Sequence, residues 1–346
     1  MIAPTINSER AVAKIFNSAI AAAAIGAAWE VGLLDAISNQ AAVHVHNFAV
    51  KHDLDADSLE GVVSALAVAD VVERDRDAGT VTAGQLLDEA YKMKSLFHWL
   101  ALGSGGLFSR MQYALPNKNR TGTYYSRDPV AISYACAEAN AQFFDPVFLP
   151  AVDALGYKFR AVADLGCGSG ERLMQLMERH PGTTGIGVDI ARPAVNDAAS
   201  EAGRRGLGSR LSFTEGDVRT IAPRPEFAHV DLLTSFLMGH DFWPRENCIA
   251  ILRKLREAFP SVRRFFLGDT TRVLLNTSPR ESKYAIGEED VPIFTLGFEV
   301  AHAMMGDYVP TMDEWEGVFA EGGWRCVQKH LIQPPSLSVI FELEKA

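Results

Sequence analysis

The chain has 346 residues, 48% of them hydrophobic and 22% charged, with a net charge of -10. That length allows two domains with sizeable cores, and the balance is that of a globular protein, which excludes disordered and fibrous classes. The acidic excess disfavours a nucleic-acid backbone as partner. Four scattered cysteines, Cys136, Cys167, Cys248 and Cys326, form no C-x-x-C pair and fit a reducing, cytoplasmic setting better than a disulfide framework or a zinc cluster.

Residues 9–37 read as helix, with Ile15, Phe16, Ile20, Ala23, Ala24, Ala27, Val31 and Leu34 at helical spacing. Arg10 and Lys14 ahead of the apolar run 19–29 imitate a signal peptide, but that run is short of the roughly twenty residues a bilayer span needs. A helix so rich in alanine is expected to be buried, with a second subunit as its cover, so a homodimer is expected and no membrane. Residues 45–90 have the rhythm of a winged helix: a short helix over 45–50, a second over 57–69, and a hairpin joining 71–73 to 80–82. The second helix and wing carry Asp53, Asp55, Asp57, Glu60, Asp70, Glu73, Asp75 and Asp77 against Lys51, Arg74 and Arg76, which would repel a duplex. The module is therefore expected to dimerise.

Three regions follow from these patterns. Residues 1–92 are expected to form the N-terminal helical, winged-helix dimerisation domain. Residues 93–158 form a helical bridging region covering the active site, interrupted by Gly103-Ser104-Gly105-Gly106 and a polar loop over 116–128. From residue 159 onward strands and helices alternate, which demands an α/β, doubly wound, mostly parallel sheet with ligands at the carboxyl edge of its strands.

The first of those strands, 161–165, runs through Asp164 into Gly166-Cys167-Gly168-Ser169-Gly170 and a helix. Alternate glycines allow turn angles closed to other residues and let a ligand approach the backbone. A nicotinamide fingerprint wants a third glycine where Glu171 stands, and a carboxylate at a helix start repels a pyrophosphate. A cofactor without phosphates is tolerated, and Asp164 suits the cationic amino-acid end of S-adenosylmethionine (SAM). Asp189, closing the strand 185–190, is placed to accept from both ribose hydroxyls, and Asp217, beside Val218, from the adenine amino group. Ser235, in the strand 230–236, completes the expected cofactor set. The catalytic domain is thus read as a class I SAM-methyltransferase, Rossmann-like sheet.

The strand 230–236 leads into Leu237-Met238-Gly239-His240-Asp241-Phe242-Trp243, a titratable pair just past a central strand's carboxyl edge. This run, continued by Pro244-Arg245-Glu246-Asn247-Cys248 and Ile251-Leu252-Arg253-Lys254-Leu255, resembles the histidine motif of small-molecule O-methyltransferases that carry a winged-helix dimerisation domain. In that family the matching histidine is a general base. The resemblance covers nearly the whole chain, including Tyr124-Tyr125-Ser126-Arg127-Asp128-Pro129 and Thr311-Met312-Asp313-Glu314-Trp315. Where members of the family often carry Glu-Arg, this chain has Val309-Pro310, so the expected acid partner of His240 is lost, and His302 is gained.

The combination of Gly239-His240-Asp241-Phe242-Trp243 with Thr295-Leu296-Gly297-Phe298-Glu299 and a following histidine is similar to the metal-dependent 2-oxo-acid C-methyltransferases, phenylpyruvate C3-methyltransferases among them. That resemblance implies one metal ion, iron or else zinc, on His240 and His302, with SAM methylating the carbon beside the keto group. A 2-oxo acid can chelate a metal, whose charge stabilises the enolate left when a C3 proton departs. Asp241 is expected to orient a water or take the proton, and Arg127 to hold the substrate carboxylate with its planar fork. Trp99, Ser104 and Met238 are expected at the substrate end. The resulting expectation is C3 methylation of a 2-oxo acid, phenylpyruvate-like or branched aliphatic, as a natural-product building block. The alternatives are O-methylation with His240 as base, a DNA-binding SAM sensor disfavoured by the acidic wing, and a nicotinamide dehydrogenase disfavoured by Glu171.

Overall fold

The computed structural model describes residues 8–122, 127–275, 284–332 and 338–346. Tyr124, Tyr125 and Ser126 of the resemblance lie outside the described residues. The chain forms two compact units, residues 1–142 and 143–346. The segment 93–158, expected as a separate bridging region, is therefore divided between them.

The first unit is mainly helical. Helices α1 (Ser8–Glu30), α2 (Leu33–Asn39), α3 (Val45–Lys51) and α4 (Ala56–Val68) surround a small antiparallel sheet of β1 (Val43–His44), β2 (Val72–Asp75) and β3 (Thr80–Ala83), in the order β1-β3-β2. The hairpin falls where Asp77-Ala78-Gly79 predicts a turn, with Gly79 in the left-handed region. Helices α5 (Leu87–Lys92), α6 (Lys94–His98), α7 (Gly105–Phe108), α8 (Met111–Ala114) and α9 (Pro129–Ala139) follow, α6 and α7 being joined by a π-helical turn over Trp99–Gly103. Asp128 caps α9 through the backbone N–H groups of Val130 and Ala131.

Helix α1 corrects one expectation. The apolar run 19–29 looked too short for a membrane, yet the whole helix has 23 residues and its most apolar 18 have a mean hydropathy of 1.6, which by length and composition is enough to cross one. The helix extends seamlessly upstream because Glu9, Arg10 and Lys14 interrupt the composition without breaking the helical pattern. Nor is it buried throughout: Ala21, Ala24, Ile25, Ala28 and Trp29 pack into the core, but Val12, Ile15, Phe16 and Ile20 are exposed.

In the second unit, α10 (Asp145–Asp153) precedes β4 (Ala161–Leu165), α11 (Glu171–Arg179), β5 (Thr184–Asp189), α12 (Arg192–Arg204), β6 (Leu211–Glu215), β7 (Leu232–Phe236), α13 (Arg245–Ala258) and β8 (Arg264–Thr270). The two-residue strands β9 (Leu274–Leu275) and β10 (Ala285–Ile286) come next, then α14 (Thr295–Met305), α15 (Met312–Phe319), β11 (Trp324–Ile332) and β12 (Ser338–Lys345). Seven strands make one sheet in the order β11-β12-β8-β7-β4-β5-β6, parallel from β6 to β8 and antiparallel at β12 and β11. The strand order reverses between β4 and β7, and ligand crevices of such sheets open at that switch. Every residue of β7 and all but the first of β8 are buried, as central strands covered on both faces are, under α13 and α15 on one side.

Candidate functional site

Gly166, Gly168 and Gly170 have φ of 70°, 50° and 73°, so the turn after β4 needs the conformations that glycine supplies. A Cβ at Gly166 would stand 2.7 Å from Met238 Sδ, and one at Gly170 would stand 2.6 Å from the Phe213 ring. Asp189 spans the site: its Oδ2 accepts the Gly168 N–H at 2.8 Å and its Oδ1 the Ala191 N–H at 2.9 Å. Asp164 is buried and accepts from Thr234 Oγ1 at 2.6 Å; desolvation pushes its carboxyl up to about 6, against an opposing pull from Arg172.

The other cofactor residues need more comment. Both Asp217 oxygens are engaged by the Arg219 guanidinium, which holds the carboxyl below its usual range, so an adenine amino group would compete with that ion pair. Val218 is buried beside it, and Ser235 is buried with no hydrogen-bond partner for its Oγ among the described residues. Glu171 pairs with Arg205 at 2.7 Å.

His240 lies in a single 3-10 turn, Gly239–Phe242, entered through Leu237 at φ 53°, a left-handed angle uncommon outside glycine. His302 lies on α14, which is entered through Phe294 at φ 78°. The two imidazoles come together: ring centroids are 4.7 Å apart and the planes stand at 79°. His302 Nδ1 donates to the Phe298 carbonyl at 2.7 Å, and His240 Nδ1 lies 2.9 Å from Asp269 Oδ1. Each partner is an acceptor, so in the neutral rings Nε2 is the basic nitrogen of both histidines.

Asp269 was missed by sequence reasoning, and it corrects the expectation that His240 lacks an acid. It is fully buried at the end of β8, and its Oδ2 also takes the backbone N–H of His240 at 2.7 Å. Gly239 makes room, since a Cβ there would stand 2.9 Å from that oxygen. The available signal was an acid at the carboxyl end of the strand next to the histidine-bearing one. Asp241 is half exposed, with its carboxylate 3.9 Å from His240 Nε2. Glu299, on α14, accepts from the Val273 N–H at 2.8 Å and ties this helix to the segment after β8.

Trp99, Ser104 and Arg127 belong to the first unit. Trp99 and Ser104 are buried there, and Arg127 directly precedes the Asp128 cap of α9. Met238 packs against the glycine turn. Among the described residues, no group of three or more His, Cys, Asp or Glu side chains forms a metal cluster.

Comparison with known proteins gives the family of the chain. A methyltransferase-domain family model matches residues 162–259. A methyltransferase of Aspergillus campestris (strain IBT 28561), ungE', is 61% identical over 335 residues, covering 97% of each chain. The chain belongs to the SAM-dependent methyltransferases. The methyltransferase is also 27% identical to the indolepyruvate C-methyltransferase of Streptomyces griseus, over 97% of this chain and 96% of the relative. Its fold is that of CalO1, a methyltransferase in calicheamicin biosynthesis solved in its SAH-bound form, at TM-score 0.65, 20% identity and 99% coverage of both chains. This methyltransferase therefore has the class I fold, with a mainly helical N-terminal unit.

Proposed function

We propose that the methyltransferase transfers the SAM methyl group to C3 of a 2-oxo acid, making a branched building block for natural-product biosynthesis. The observation that carries this reading is the convergence of His240 and His302, two residues far apart in sequence, with Nδ1 of each ring tied to an oxygen acceptor. Full-length similarity to an indolepyruvate C-methyltransferase supports it.

The two imidazoles, each oriented through Nδ1, have the donor chemistry for a metal ion completed by ligands other than histidine, cysteine or acid side chains. A cation bound there would polarise the keto and carboxylate oxygens of a 2-oxo acid, and iron or zinc suits such donors. Asp269 fixes the His240 ring and its proton, and Asp241, exposed beside Nε2, can accept a proton from substrate or water. Asp164 and Asp189 hold the donor at the glycine turn, so that transfer depends on alignment of the methyl group with the acceptor carbon. Incubation with a panel of 2-oxo acids and methyl-labelled SAM, with and without chelator, tests the reading: C3-labelled product that disappears with chelator is expected, and product only from phenols would refute it.

A second reading has its own support. The His240–Asp269 pair is the geometry of a histidine base oriented by a buried acid, which suits deprotonation of a hydroxyl for O-methylation. Chelator-resistant methylation of a phenol or enol oxygen would favour it.

A further inference from the structure

Two residues of α14, Glu299 and His302, stand three apart on one side of the helix. Helices use that spacing to offer a carboxylate and an imidazole to one metal. Here the Glu299 carboxylate is engaged instead by the chain itself: its Oε1 accepts the backbone N–H of Val273 at 2.8 Å. Val273 is buried, and it follows closely on Asp269, the acid near the end of β8 that holds both the ring and the backbone N–H of His240. One stretch of chain, 269–273, therefore holds His240 at one end and α14 at the other. The stretch is itself pinned, since the Arg272 N–H donates to the Pro310 carbonyl at 2.9 Å and its guanidinium to the Val309 carbonyl at 3.1 Å and the Tyr308 hydroxyl at 3.0 Å. Helix α14 needs such a hold near its start: it is entered through Phe294 in a positive-φ conformation, and among the described residues no side chain caps it.

Resting on the reading of His240 and His302 as one site, we propose that Glu299 is a positioning residue: by accepting the Val273 N–H it fixes the rotation of α14, and with it the 4.7 Å separation of the two imidazole rings. At about 3.6 residues per turn, residues three apart lie nearly one above the other, so the side of α14 that bears His302 follows wherever Glu299 is held. Phe298, the residue before Glu299, packs edge-on to His240 at 5.3 Å, so a rotated helix would part His240 from Phe298 and His302 together. The role requires an acceptor at position 299 and no charge. A glutamine oxygen can take the same N–H, whereas alanine leaves the Val273 donor without that partner and the helix free to turn. A carboxylate that ligated a metal directly would be replaced far less well by the neutral amide.

The test compares wild type, E299Q and E299A as full chains. In histidine-labelled protein, the through-space NMR contact between the imidazole C–H protons of His240 and His302, assigned with H302A, reads the ring separation with no metal added. It is expected in wild type and E299Q and is expected to be lost in E299A. Cobalt(II) titration of the same proteins, followed by the visible spectrum, is expected to reach half-saturation at about tenfold higher metal in E299A and within about twofold of wild type in E299Q, with SAH affinity the same in all three. An intact ring contact in E299A, its loss in E299Q, cobalt binding as weak in E299Q as in E299A, or a matching fall in SAH affinity would overturn the proposal. A wild type that binds no cobalt would overturn only the metal reading of the site, because the ring contact still decides what Glu299 does.

Discussion

One carboxylate grips His240 twice: Asp269 Oδ1 lies 2.9 Å from the ring Nδ1, while Oδ2 accepts the backbone N–H of the same residue at 2.7 Å. Ring orientation and chain position are therefore set together. The D269N variant can keep the backbone bond through its amide oxygen, but its NH2 group then faces Nδ1 and drives the proton to Nε2. We expect kcat to fall by about 100-fold or more with SAH affinity unchanged, measured by steady-state kinetics beside calorimetric titration. An active D269N enzyme would remove Asp269 from the site.

The H302A variant separates the two readings of the site. Under C-methylation it loses bound metal and 2-oxo-acid turnover while SAH affinity stays within about twofold, because the glycine turn is untouched. Elemental analysis of the purified protein and a product assay decide this. Full turnover in a metal-free H302A protein would leave His240 and Asp269 as an acid-assisted base acting alone.

Asp164 sets a trade between stability and binding. Its folded carboxyl lies near 6 against an ordinary 3.8, so the folded state holds the proton more tightly than the unfolded chain does. Stability contributed by that proton is present at low pH and is lost as pH rises through about 6. The D164N variant keeps an acceptor for Thr234 and sheds the buried charge. Its cofactor-free form is expected to melt higher than wild type at pH 7, with no advantage near pH 4, while SAH binding weakens. Calorimetric melting curves at the two pH values check the sign.

Helix α1 presents Val12, Ile15, Phe16 and Ile20 along one exposed stripe at helical spacing. A second copy of the chain is the proposed cover. Replacing Ile15 and Phe16 with Asp is expected to convert a sedimenting dimer to monomer without altering the melting of the second unit. A monomeric wild type would refute the assignment.

Several parts of the candidate site were legible in the sequence. Glycines at alternate positions after an apolar strand announced the left-handed turn, because few other residues tolerate it. His240 was legible from its place past the end of β7, and His302 from resemblance alone, since no short spacing joins the two. Asp269 was not legible: an acid closing a buried strand resembles any turn residue until the neighbouring strand is known. The same is true of Arg219 against Asp217 and Arg205 against Glu171, which are contacts between side chains whose directions a linear pattern leaves open. In α1, the membrane question was judged on the apolar run 19–29 and not on the longer helix read over residues 9–37 that contains it.

The ring of Phe213 fills the space that side chains at Gly170 and Gly187 would need, with a Cβ at Gly187 standing 2.4 Å from it. Ring and glycines share one volume. Related enzymes that enlarge the residue matching Gly187 should therefore carry something smaller than phenylalanine at the matching strand position, and the two changes should travel together through evolution. At Gly170 a smaller ring would not suffice, since its φ of 73° calls for glycine whatever fills the space; at Gly187 the pair of changes would exchange one filling of the space for another.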